Sequence, residues 1–401
     1  MGFSSIKKLF LTLIILVIII SFGIFAAPYF FSVSFDTNIQ AGEFVTNTEN
    51  IEANALNQLA NEPIVVPASH ISTPESVRAI YMSAWVAGSS KLRSRLVSMI
   101  DTTELNAVII DIKDSTGRVS FYTDDPLINS LGASEKRIAD PKEFIEELHS
   151  KNIYVIGRIS VFQDPYMTTK MPEWAITKKS DPTVAWKDRK GLSFLDPAKK
   201  EVWDYTIAVA QTAYDIGFDE INFDYIRYPS DGNIKDINYN LSEGATRSSN
   251  IENFFKYLSL NLKKDVDIPI SADLFGLTTT AVGEDDMGIG QILNKALPHF
   301  DFIAPMVYPS HFPNGWNGYS NPAEKPYEVI HFTMQKAVEK SLALGFTADK
   351  IRPWLQDFDL GANYTKELVR AQIDATHDAG LDSWMLWDPK NLYTPEALNV
   401  E

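Results

Sequence analysis

Polar side chains gather at one end of a series of short β-rich runs. Ala107–Lys113 closes on Asp111 and Lys113, with Asp114 next; Ile153–Ile159 carries Arg158; Asp219–Ile226 carries Asn222 and Asp224 and leads into Arg227. Ile268–Phe275 carries Asp273, Ile351–Asp357 ends in Gln356 and Asp357, and Asp382–Asp388 ends in Asp388. Carboxylates dominate this set. A buried acid is costly unless it is paired, so a fold does not collect acids at one end for packing alone, although Lys113, Arg158 and Arg227 offer some of them structural ion pairs. Two carboxylates facing each other across a groove are what glycosidic cleavage requires. One protonates the leaving oxygen while the other attacks the anomeric carbon or activates water.

Aromatic residues fall in the same places. Trp85 closes the first run (Ala79–Trp85), Tyr308 ends Asp301–Tyr308, Trp316 and Tyr319 lie just beyond it, and Trp354, Trp384 and Trp387 sit in the last two runs. Sugar rings stack their C–H faces on such rings while amides and acids hold the hydroxyls. For most of these aromatics, filling a core is the competing role. The candidate substrate contacts are therefore Trp85, Asp111, Lys113, Arg158, Asn222, Arg227, Tyr308, Trp354, Gln356, Asp357, Trp387 and Asp388.

Other chemistries are disfavoured by what is missing. With no Cys there is no thiol nucleophile, disulfide framework or iron–sulfur cluster. The six His form no HExxH pair and are expected on the surface or in loops, so a catalytic zinc is not expected. Asp236, Asn238 and Asn240 are spaced like the start of a calcium loop, but Leu241 stands where glycine is required and Arg247 where the bidentate Glu belongs. No GxSxG elbow occurs. Neither metal nor cofactor is expected. The 52 acidic residues against 36 basic ones make nucleic acid an unsuitable partner.

Something must bring these strand ends together. Eight β-rich runs, the six opening ones together with Ala79–Trp85 and Asp301–Tyr308, alternate with amphipathic segments such as Pro141–Lys151, Ala198–Ile216, Asn250–Lys264, Tyr327–Leu344 and Tyr364–Ala379. Strict alternation specifies parallel strands with crossovers, and eight units over this length suit a (β/α)8 TIM barrel, an α/β fold whose chemistry sits at the C-terminal strand ends. An open doubly wound sheet is the alternative, but no glycine-rich phosphate loop follows the first strand. The insertion Gln163–Pro197 is expected over the barrel mouth. After the eighth run only Thr394–Val400 remains for a last helix, which must be truncated unless another segment closes the barrel.

Ahead of the barrel, Lys7 and Lys8 precede the apolar run Leu9–Ala27, close to the ~20 residues that span a bilayer. Residues 1–31 read as an export signal, uncleaved as an anchor in the favoured reading and cleaved near Ser21-Phe22-Gly23 in the other. Residues 32–75 carry six acids and no Lys or Arg, the composition of a disordered acidic linker. The folded domain is then 76–401, placed outside the cell on a single-pass membrane anchor, or secreted.

The stretch Gly217–Pro229 (GFDEINFDYIRYP) resembles the fourth-strand motif of glycoside hydrolases related to the α-amylase barrel, Gly-x-Asp-Gly-x-x-x-Asp. That resemblance puts Asp224 in the position of the nucleophile, with Glu220 replacing the second glycine and Asn222 standing where amylases carry Arg. The chain is more closely similar to a glycoside hydrolase family of bacterial exported proteins, through NAVIIDIKD, LDP, SADLFG, IAPMVYPSH and WMLWDP from about Arg78 to Asp388. By the same analogy Asp273 takes the place of the acid/base, Glu in amylases, with Asp357 in reserve. Chitinase-like barrels end strand four in a similar sequence, but alignment on Tyr228-Pro229 puts Arg227 at their catalytic Glu. The resemblance implies an exported enzyme acting on a cell-surface or extracellular polysaccharide. The alternative is a catalytically silent carbohydrate-binding barrel that anchors to or senses cell-wall material.

Overall fold

The computed structural model describes residues 68–400. The export segment Leu9–Ala27 and the linker as far as residue 67 lie outside the described residues, among which no helix is long and apolar enough to cross a membrane.

Eight parallel strands close into a barrel: β1 (Arg78–Met82), β2 (Ala107–Lys113), β3 (Tyr154–Ser160), β4 (Glu220–Asp224), β5 (Ile270–Phe275), β6 (Phe302–Met306), β7 (Trp354–Gln356) and β8 (Trp384–Trp387). Each pairs with its sequence neighbour, and β8 returns to β1 through Arg78 opposite Trp384. The crossovers carry helices α1 (Ser90–Asp101), α2 (Pro141–Ser150), α3 (Lys200–Asp215), α4 (Arg247–Leu262), α5 (Pro326–Ala343) and α6 (Lys366–Asp378). Pro at the first turn of α2 and α5 costs no hydrogen bond, and Thr246 and Ser249 cap the start of α4 reciprocally. The β5–β6 crossover has no comparable helix, only the 3-10 turn Gly276–Thr279 and the four-residue turn Leu293–Ala296.

The period-2 pattern of the strands sorts their residues into two apolar clusters. Ile80, Val108, Ile110, Val155, Ile159, Ile221, Phe223, Ala272, Leu274 and Ile303 join the helices in the outer cluster. Ala79, Tyr81, Ala107, Ile109, Tyr154, Ile156, Ala304, Trp354 and Met385 form the inner one. Polar residues share the inner parity: Asp111, Arg158, Glu220, Asn222, Asp224 and Asp273. Toward the N-terminal end the inner parity is closed by an ion pair, Arg352 Nη1 to Glu220 Oε1 and Oε2 at 2.9 and 3.1 Å, with Tyr154 Oη donating to Glu220 Oε2 at 3.2 Å.

Two expectations change. The folded part begins before residue 76, because Asp219, buried at the N-terminal end of β4, accepts the Ile71 N–H at 2.8 Å, and Thr73 bonds the Tyr154 hydroxyl at 2.9 Å. His149 is not a surface residue: its Nε2 meets the same Asp219 at 2.9 Å, while the His70 ring stacks on Tyr214. The final helix is truncated as expected, to a single 3-10 turn, Pro395–Ala397, after which the Asn399 N–H donates to Glu104 Oε1 and Glu104 N–H to the Asn399 carbonyl. That exchange ties the tail beneath β2. The Gln163–Pro197 insertion folds into short bridges and an antiparallel pairing of Thr177–Lys178 with Ile237–Asn238. Against it Asp236 accepts from Ser180 and Asn240 donates to Asp196, so the calcium-like spacing serves loop structure.

Candidate active site

A cavity of about 390 Å³ opens at the C-terminal strand ends, a normal size for a small-ligand site. Its wall holds Arg158 from β3, Asp224 from β4, Asp273 and Phe275 from β5, Met306 from β6, Trp354 from β7 and Trp387 from β8. Loop residues Tyr225, Arg227, Gly276, Leu277, Tyr308, His311 and Phe312 complete it.

Arg158 is the hub. Its Nη1 donates to Asp111 Oδ1 at 2.7 Å, its Nη2 to Asp224 Oδ2, and its Nε lies 3.9 Å from Asp273 Oδ2. Burial works against the guanidinium charge, but Asp224 and Asp111 outweigh it and hold Arg158 fully protonated. The Asp224 carboxylate also accepts the Tyr225 N–H at 2.5 Å through Oδ1. Tyr225 has φ 52°, a left-handed conformation that a bulky residue adopts only under constraint from its surroundings. This turn ends β4 at Asp224 and points the next residues along the cavity rim.

Asp273 differs from Asp224 in its surroundings. Its Oδ1 accepts from Trp354 Nε1 at 2.7 Å and Asn222 Nδ2 at 2.9 Å, while Asn222 also donates to Ser271 Oγ at 3.1 Å. Both bonds favour the anion, as does Arg158. Complete burial and the neighbouring Asp224 charge outweigh them, so Asp273 is held protonated well above the usual carboxylate range. Two acids in one cavity thus stand in opposite environments, one on a cation and one desolvated.

The remaining sequence candidates divide. Asn222 supports Asp273; Tyr308, Trp354 and Trp387 are in the wall; Trp387 stacks on Tyr81 at 4.0 Å and meets Trp354 edge-on at 5.5 Å. Asp111 lies behind the wall, bonded to the Tyr81 hydroxyl at 2.6 Å, with its carboxyl pushed up by burial. Lys113 is turned away. A bulge in β2 sets Lys113 opposite Ile159, an outward residue, and its Nζ pairs with buried Asp164 at 2.8 Å and the Ser160 carbonyl at 2.6 Å. Trp85 does not close β1, because Ser83 caps a helical turn Ala84–Ala87 there; the ring is 60% exposed and covers Arg137.

Gln356 is fully buried, accepting from the Ser310 N–H and donating to the Phe358 carbonyl. Asp357 accepts from the Thr394 N–H and hydroxyl at 2.9 and 2.7 Å, and Asp388 accepts from the Lys390 and Leu392 N–H groups. These three hold loops and are absent from the wall. Trp316 packs on Phe312 and Phe332 instead of facing the cavity. The wall residues missing from the sequence reading are Tyr225, Phe275, Gly276, Leu277, Met306, His311 and Phe312. Gly276 follows the end of β5 directly and His311 closes the 3-10 turn Pro309–His311 just past β6, and those positions after strand ends were the available signal.

The eight parallel strands and their crossover helices define a TIM-barrel fold, with the cavity at the C-terminal strand ends. Residues 79–393 match the family described as "Putative glycosyl hydrolase domain", and the chain belongs to that family. It is similar to a hypothetical protein from Ruminiclostridium thermocellum ATCC 27405, at 33% identity over 48% of this chain and 96% of that one, with a TM-score of 0.44. The PgaB (BpsB) glycoside hydrolase domain from Bordetella bronchiseptica shares the fold at a TM-score of 0.57 and 13% identity, covering 78% of this chain and 94% of that one. The α-galactosidase TtGalA from Thermus thermophilus gives a TM-score of 0.50 and 13% identity, over 83% of this chain and 61% of that one. No curated protein matches the chain.

Proposed function

We propose that the barrel cleaves O-glycosidic bonds in a cell-surface or extracellular polysaccharide through Asp224 and Asp273. The observation that carries this reading is the shared cavity in which Asp224 sits on Arg158 while burial keeps Asp273 protonated. Asp273 gives its proton to the leaving glycosidic oxygen. Asp224 supplies negative charge at the anomeric carbon, as nucleophile or as base for water. Arg158, anchored by Asp111, fixes Asp224, and the Tyr225 N–H holds its other oxygen. The aromatic wall supplies apolar surface for a sugar ring. Lys7, Lys8 and the run Leu9–Ala27 support export, with the barrel outside the membrane.

Incubation of the chain with a panel of bacterial polysaccharides is expected to release reducing ends, and Asp224→Asn is expected to abolish that release. Release that survives the substitution removes Asp224 from the chemistry. Binding without release favours the silent carbohydrate-binding barrel, a reading supported by both Asp224 oxygens already being hydrogen-bonded.

A further inference from the structure

Arg227 is the second cation of the cavity wall, and it is placed unlike Arg158. Only 8% of it is exposed, yet among the described residues no carboxylate oxygen comes within 4 Å of it. Its hydrogen bonds both come from Nη1, to the Tyr228 carbonyl at 3.1 Å and Ser230 Oγ at 3.3 Å. Its guanidinium lies against the Phe275 and Tyr225 rings, 4.6 and 5.1 Å from their centres. Burial pulls its basicity down, with only Tyr225 and more distant acids, Asp224, Asp231 and Asp188, acting against that.

The remaining N–H groups, on Nε and Nη2, donate to nothing. They are not sealed in protein either, in contrast to Nε and Nη2 of Arg352, which are buried without partners. One tethered nitrogen and two flanking rings therefore fix the guanidinium with its Nε–Nη2 edge free. That edge is the fork that grips a planar carboxylate through two parallel hydrogen bonds. A desolvated cation without a counter-ion is costly, and an anionic ligand removes the cost.

Resting on the glycoside hydrolase reading, we infer that Arg227 recognises a carboxylate on the substrate, so that the site takes a glycan bearing an acidic sugar beside the scissile bond. The carboxylate could belong to a uronic acid or to an acid ether-linked to the ring. Arg158 cannot do this, because Asp111, Asp224 and Asp273 already surround it.

The test is calorimetric binding to the full chain carrying Asp224→Asn, which prevents turnover. The ligands are a glucuronate-containing tetrasaccharide, its carboxyl-reduced neutral counterpart, a muramic acid disaccharide and a sugar phosphate. At least one of the two carboxylated ligands is expected to bind about 10- to 100-fold tighter than the neutral one, the range of a charge-assisted pair, and which does so identifies the source of the acid. Adding Arg227→Gln should abolish the difference and Arg227→Lys should keep only part of it, with melting curves confirming that both variants fold. Equal affinity for acid and neutral ligands, an acid preference that survives Arg227→Gln, no binding of either acid, or tighter binding of the phosphate overturns the inference. An acid preference without hydrolysis of any acidic polysaccharide by the unsubstituted chain would sink the enzymatic reading and leave this one standing. Cleavage of a neutral glycan with no acid preference would do the reverse.

Discussion

Trp354→Phe isolates the hydrogen bond that works against protonation of Asp273. The Trp354 indole donates to Asp273 Oδ1 at 2.7 Å, and a bond to a charged acceptor is worth about 1.5–3 kcal/mol. At about 1.4 kcal/mol per pKa unit, its loss should raise the Asp273 pKa by about one to two units, since the bond favours the anion and burial already favours the acid. An acid catalyst that keeps its proton longer moves the alkaline limb of the kcat/KM profile upward by the same amount. The assay is that profile on any cleaved glycan, with Trp387→Phe as control. Trp387 contributes a ring to the same aromatic group but no donor to Asp273, so its profile should keep the original limb. An alkaline limb that moves down, or moves equally in both variants, refutes Asp273 as the titrating acid.

Lys113→Met should behave as a stability variant, because it leaves Asp164 buried without its cation; about 3–5 kcal/mol is expected in urea unfolding, much of it regained in Lys113→Met with Asp164→Leu. A near-normal unfolding midpoint with a raised KM would show instead that Lys113 contacts substrate. Asp357, pushed up to about 6 mainly by burial, takes up a proton on folding, so its contribution is complete below about pH 4 and is lost as pH rises through 6, about 3 kcal/mol in all. Asp357→Asn should flatten the stability curve between pH 4 and 7, and an unchanged slope would refute this. Gly276→Ala puts a Cβ 2.4 Å from the Met306 carbonyl oxygen and 3.0 Å from Val307 Cα, forcing the β5 and β6 ends apart; kcat/KM should fall by about tenfold or more, and an unaltered value would show the wall tolerates the shift.

Strand parity explains what could be read from sequence. Within β4 the alternation Glu220, Ile221, Asn222, Phe223, Asp224 puts Ile221 and Phe223 in the outer cluster and the polar residues on the inner parity, and the same reading of β3 and β5 yields Arg158 and Asp273. Eight such runs also sufficed for the barrel. Parity fails where one residue is inserted, and the β2 bulge that removes Lys113 has no local signature in AVIIDIK. It also says nothing about partners distant in sequence: Asp357 is claimed by Thr394, and Asp219 by Ile71 and His149. Trp85 was misplaced for a local reason, since Ser83 is a helix cap and ends the strand before the ring. Helix α1 buries Leu96, Val97 and Ile100, a stripe confined to its second half, while Lys91, Arg93 and Arg95 stand in its first turns.

The division of labour between the two acids is open to one comparison. On an aryl glycoside whose dinitrophenolate leaving group needs no proton, Asp273→Asn should keep most of its bond-breaking rate, whereas on the corresponding methyl glycoside it should lose at least about a hundredfold. Asp224→Asn should be inactive on both. Equal losses for Asp273→Asn on the two substrates, or cleavage of either by Asp224→Asn, would contradict the two-carboxylate account.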